Sequence, residues 1–135
     1  MSGSQKSFNA LIRTHHITSR KKVTKLRQAA DLHNVFVLLR TGGSPGMMYV
    51  EGRNVGVHEW IAVVQKLRYK DYQLAARPDQ VVLERATTEV QPTNNSHGLS
   101  EVSTVKEFSQ EMARRGVFEW WRAAMGYAQG QSDRL

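Results

Sequence analysis

Apolar positions along the first eighty residues switch between two periods, and the switches mark out elements. Phe8 to Ile17 carries the aliphatic, Thr and aromatic content of a short strand. After Ser19, a good helix cap, Val23, Leu26 and Ala30 recur at spacings of three and four. That spacing predicts an amphipathic helix from about Arg20 to Leu32. Val35 to Arg40 is a continuous apolar run of strand length, Thr41 to Gly46 is turn chemistry, and Met47 to Glu51 resumes as a strand. The pair predicts a hairpin with a loop longer than two residues. Trp60, Ile61, Val64 and Leu67 then share one stripe of a second helix, about Val57 to Leu67. Asp71 to Arg77 forms a weaker strand closed by Pro78, and Val81 to Glu84 either extends the sheet or makes an edge strand.

The resulting order, β-α-β-β-α-β with short links, is the ferredoxin-like α/β pattern (an α+β sandwich). It predicts a four-stranded antiparallel sheet with both helices on one face and the strand Ala10 to His16 lying centrally. This core spans residues 8–84, between a polar tail at 1–7 and a flexible connector at 85–103. Thr104-Val105-Lys106-Glu107 is a capping box, opening a helix through about Arg115 that Gly116 ends. Phe118 to Tyr127 reads as a short aromatic helix, and the chain frays over 129–135. Phe108, Met112, Phe118, Trp121 and Met125 make this appended 104–128 segment too apolar to stay solvated, so it is expected to pack on the core.

Composition narrows the function classes. At 135 residues with 40% apolar and 23% charged residues, the chain suits one globular domain. The absence of cysteine excludes disulfide staples, Cys-ligated zinc and thiol catalysis, and fits a reducing compartment. No stretch has the length and apolarity of a membrane span, and Met1 to Lys6 lacks a signal-peptide core. The expectation is an intracellular protein of nucleus or cytoplasm, with no membrane and no small-molecule substrate. Net charge is +7, unevenly held: residues 1–46 carry eight Lys or Arg against the single acid Asp31, while residues 47–135 balance at eleven of each. Such a patch attracts polyanions or acidic protein surfaces.

Catalytic chemistry finds no foothold. The segment Thr41 to Gly46 is Gly-rich but lacks a Gly-Lys-Ser/Thr ending and leads into a strand, so it is a hairpin loop rather than a phosphate loop. His15 and His16 are neighbours on a predicted strand and face opposite ways, and His33, His58 and His97 lie apart, so no metal site is expected. No nucleophile elbow or paired-carboxylate motif stands out. The chain is read as a non-enzyme without cofactor.

The basic helix carries the strongest signal. Arg20, Lys21 and Lys22 occupy its first turn, where the helix dipole favours anions; Lys21 and Lys25 point outward, with Arg20, Lys22 and Arg27 on the flanks. Tyr49, if it projects from an open sheet face beside Arg13 or His15, suits base stacking. Trp120 and Trp121 cannot face the same way; with Trp121 docked, Trp120 is the free one and a candidate protein contact.

The run Thr14-His15-His16-Ile17-Thr18-Ser19-Arg20-Lys21-Lys22, the segment Gly43-Ser44-Pro45-Gly46-Met47-Met48-Tyr49-Val50-Glu51-Gly52, Trp60 and Leu67-Arg68-Tyr69-Lys70 together resemble a known family. It is the C-terminal domain of pre-mRNA processing factor three, shared with the C-terminal halves of RWD-domain proteins. The resemblance is good over residues 10–77 and looser over 104–127, where Glu119-Trp120-Trp121 is similar to an aromatic pair in the family's terminal helix. It implies a ferredoxin-like domain without cofactor. In the splicing-factor branch it implies binding of small nuclear RNAs through basic and sheet surfaces. Two functions follow as expectations: an RNA-binding module using Arg13, His15, Arg20, Lys21, Lys22, Lys25, Arg27 and Tyr49, or a protein-interaction adaptor centred on Trp120.

Overall fold

A computed structural model describes residues 6–84 and 97–127. The order is β1 (Phe8–Thr14), α1 (Arg20–His33), β2 (Phe36–Arg40), β3 (Gly46–Gly52), α2 (Asn54–Lys66), β4 (Gln73–Gln80), β5 (Gly98–Val102), α3 (Val105–Arg114) and α4 (Phe118–Met125). They build one five-stranded sheet in the order β4-β1-β3-β2-β5. The β-α-β-β-α-β core is as expected: β1 lies inside the sheet between β3 and β4, antiparallel to both.

The strands follow period two almost without exception. Ala10, Ile12, Val37, Leu39, Met48 and Val50 face α1 and α2, where Val23, Leu26, Ala30, Val57, Trp60, Ile61 and Val64 meet them. Leu11, Phe36, Leu38, Met47 and Tyr49 face the other way, onto Phe108, Met112, Trp121 and Met125 of α3 and α4. The C-terminal helices therefore form the second cover of the sheet.

Local signals set the helix starts. Ser19 accepts a hydrogen bond from the Lys22 N–H at 3.2 Å, and Asn34 in the left-handed region ends α1. The Thr104–Glu107 capping box closes in both directions. The α4 terminus has no side-chain cap of its own; Glu84 supplies one from outside, accepting from the N–H groups of Glu119 at 3.1 Å and Trp120 at 3.0 Å.

Four expectations are corrected. The sheet has a fifth strand and is mixed, because β5 pairs parallel to β2. That strand occupies part of the stretch expected to be a flexible connector; residues 85–96 of the connector, with the tail residues 1–5 and 128–135, lie outside the described residues. β4 does not close at Pro78 but runs to Gln80; it is an edge strand, and its pairing with β1 shifts register between Ala76 and Asp79, the step in which the proline sits. Val81 to Glu84 is irregular, held by the Val81 N–H donating to the Ser7 carbonyl and the Glu84 N–H to that of Gly116. No helix among the described residues is long and apolar enough to cross a membrane.

Candidate nucleic-acid interface

Strand polarity decides where the charge collects. β1 and β2 end, and β3 and β4 begin, on the same side of the sheet; α1 starts there and α2 finishes there. One end of the molecule thus gathers Arg13, His15, Arg20, Lys21 and Lys22 from the basic first third, and Lys66, Arg68 and Lys70 from the α2–β4 link. The two groups are tied together. The His15 N–H donates to the Lys70 carbonyl at 3.0 Å, and the Lys22 ammonium lies 4.7 Å over the ring of Tyr69. The sequence hides the α2–β4 cations, because residues 47–135 are neutral overall. Their significance appears only when the fold brings that link beside α1.

The five candidate cations of α1 divide. Lys21 and Lys25 are exposed, and no acidic partner for them is found among the described residues. Arg20 and Arg27 are engaged instead with β5. Arg20 makes two 2.9 Å bonds to the Glu101 carboxylate; Arg27 makes one of 2.9 Å to it and one of 3.0 Å to the Leu99 carbonyl. The Arg20 hydrogen bonds, reinforced by Arg27, hold the Glu101 carboxyl below its ordinary pKa against the opposing effect of partial burial. These two guanidiniums are not the free phosphate contacts that the sequence suggested.

Tyr49 requires a plain correction. It sits on the α3/α4 face and is fully buried, so it has no route to a base. Its hydroxyl donates to Glu51 at 2.6 Å and accepts from the Asn9 amide at 3.2 Å. Burial first, then the Glu51 charge, pushes its phenol well above the ordinary tyrosine value. Arg115 completes this polar centre, reaching Glu51 at 3.3 Å and Glu111 at 3.0 Å while stacking 3.4 Å from the Phe36 ring centroid. Trp120 is not free either: it is half-buried and meets Tyr49 edge-on at 5.7 Å between centroids.

Arg13 and His15 remain accessible. They share a shallow polar recess with Thr14, Ser44, Pro45, Asp71 and Gln73, formed where β1 ends, the hairpin turns and β4 begins. Its hairpin wall is pinned by Arg40, which donates to the Pro45 carbonyl at 3.1 Å and the Ser103 carbonyl at 3.0 Å. Gly42 lies so tightly against the Ser103 carbonyl that a Cβ there has no room. Among the described residues, no group of three or more His, Cys, Asp or Glu is arranged to hold a metal ion.

No protein-family model matches the chain, and no curated protein matches it. Among solved structures it is similar to BlrP1 BLUF, at 14% identity and a TM-score of 0.51 over 84% of this chain and 78% of that one. A likeness at that identity establishes the ferredoxin-like fold alone.

Proposed function

We propose that this domain binds RNA through its phosphates, at the basic end of the sheet. The observation behind the reading is the convergence there of Lys21 and Lys22 of α1, with Lys25 one turn along the helix from Lys21, and Lys66, Arg68 and Lys70 of the α2–β4 link. A patch assembled from two separate segments around a helix N-terminus suits a run of phosphates. The resemblance of residues 10–77 to the C-terminal domain of pre-mRNA processing factor three supports RNA as the polyanion. The interface proposed is the end of the sheet, since both broad faces are covered.

The test is a salt titration. If about four cations engage a single strand, log affinity falls against log salt with a slope near −3, at about −0.7 per phosphate. Lys21→Ala/Lys25→Ala should flatten that slope by about 1.4 with little change in melting temperature, because both side chains are solvated. Equal binding by wild type and variant would make the patch a solubilising surface. The reading would then pass to a protein-interaction adaptor. That alternative draws on Val82 and Leu83, exposed at 76% and 64%, in the segment whose Glu84 caps α4 beside Trp120.

A further inference from the structure

We propose that the recess at the basic end is a nucleobase pocket that prefers guanine; the inference rests on the RNA-binding reading above. The recess measures about 280 Å³, room for one base, and is lined by Arg13, His15, Ser44, Asp71 and Gln73. Its composition is wrong for a phosphate and right for a base. Asp71 places a carboxylate, 65% exposed, into an otherwise cationic end, where it repels phosphate oxygens. The same carboxylate accepts N–H donors.

Guanine is the base whose Watson–Crick edge offers two adjacent donors, N1–H and the N2 amino group. Two carboxylate oxygens can take both. Uracil offers a single N–H, and adenine and cytosine set a ring acceptor beside their amino group, which faces a carboxylate unfavourably. On guanine's other edge, O6 and N7 are the acceptors that an arginine fork fits. Arg13 supplies that fork: it is exposed, without an acidic partner among the described residues, and paired in the ladder with Gln73, whose amide both donates and accepts. The His15 imidazole, 3.5 Å from Asp71 and half-exposed, meets the His16 ring edge-on at 4.0 Å between centroids, and its remaining π surface is the one on which a base would stack.

Three elements hold the pocket in shape. The His15 N–H bonds to the Lys70 carbonyl, the Gly46 N–H to the His15 carbonyl, and Asp71 itself sits at φ 56°, which turns the chain from the α2–β4 link into β4. Asparagine tolerates that backbone region as well as aspartate does, so Asp71→Asn keeps the fold while removing the charge.

The experiment uses the full chain and oligouridylate hexamers carrying one central guanosine, inosine, adenosine or cytidine, with the all-uridine hexamer as reference. Inosine keeps O6, N7 and N1–H but lacks the N2 amino group. Bidentate recognition at an exposed site discriminates by about fivefold. Guanosine should therefore bind about fivefold tighter than inosine at constant salt, and inosine, which keeps the Arg13 contact, tighter than uridine. Asp71→Asn should abolish the guanosine–inosine difference, and Arg13→Gln should weaken both purines towards uridine. Lys21→Ala/Lys25→Ala should weaken every hexamer equally and keep the preference. Equal, salt-dependent binding of all hexamers by wild type would overturn the pocket and leave the phosphate reading standing. A guanosine preference that survives Asp71→Asn would also overturn it. Failure of every hexamer to bind would bring down both.

Discussion

The two faces of the sheet are built on different chemistry. Under α1 and α2 lies a largely apolar layer without a charged group among its buried residues, in which the largest side chain, Trp60, spends its one polar atom on the Leu26 carbonyl of the facing helix at 3.1 Å. Under α3 and α4 lies an aromatic layer with a charged centre, where Asn9, Tyr49, Glu51 and Arg115 form one chain of hydrogen bonds and ion pairs. The first face is closed by helices contiguous with the strands they cover. The second is closed by a segment that arrives after all the core strands, and its polar centre orients that late arrival. Buried polar groups of this kind specify one docking geometry at some cost in stability. A sheet with one helical layer in sequence order can therefore still lack an open face.

Tryptophan truncation tests the comparison most severely. Each large-to-small change should cost about 3–5 kcal/mol in chemical denaturation, Trp60→Ala at the upper end and Trp121→Ala at the lower. Milder Phe replacements separate the faces further. Trp60→Phe discards a hydrogen bond, whereas the Trp121 Nε1 finds no partner among the described residues, so Trp121→Phe should cost less. An unchanged melt for Trp121→Ala would mean that α3 and α4 are not a cover at all.

The two buried tyrosines give a middle-sized contrast. Tyr49→Phe leaves the Asn9 amide and the Glu51 carboxylate without a shared partner and should cost about 1–2 kcal/mol. The Tyr69 hydroxyl has no partner among the described residues, and its ring alone carries the Lys22 contact, so Tyr69→Phe should be neutral or slightly stabilising. Both phenols are raised, Tyr69 to about 12 by burial. The unfolded chain loses these protons at the ordinary tyrosine pKa while the folded chain keeps them. Stability should therefore fall above about pH 10, and each Phe variant should flatten that decline. Identical alkaline profiles for wild type and Tyr49→Phe would remove Tyr49 from the account.

Glu101 gives the smallest effect and concerns the seam where β5 joins the α1 side. Its pKa is lowered by Arg20 first and Arg27 second, so its contribution is complete above the ordinary carboxylate pKa and is lost as pH falls through the lowered value. Half-exposed partners limit that contribution to about 0.2–1 kcal/mol. Glu101→Gln should remove it at neutral pH and flatten the acid limb of a stability–pH profile; a profile parallel to wild type would show that β5 docks through its backbone alone.

Local pattern determined a great deal here. The two caps at Ser19 and Thr104, the period-two strands, the hairpin and the order of the core elements depend on interactions within a few residues, and a sequence displays those directly. The position of the basic helix was legible for the same reason. Which surfaces remain open depends instead on contacts between distant segments. Strand parity separates Tyr49 from Met48 but carries no information about which face a distant segment will cover, and so Tyr49 proved buried. β5 has two apolar residues in five and gains strand form from pairing with β2, a contact between residues some sixty positions apart. That same pairing drew Arg20 and Arg27 onto Glu101, while the crossing of chain ends brought Lys66, Arg68, Lys70 and Asp71 beside Lys22 and His15. Charges separated by fifty residues of chain become neighbours through strand direction, which is a property of the sheet and not of any local stretch.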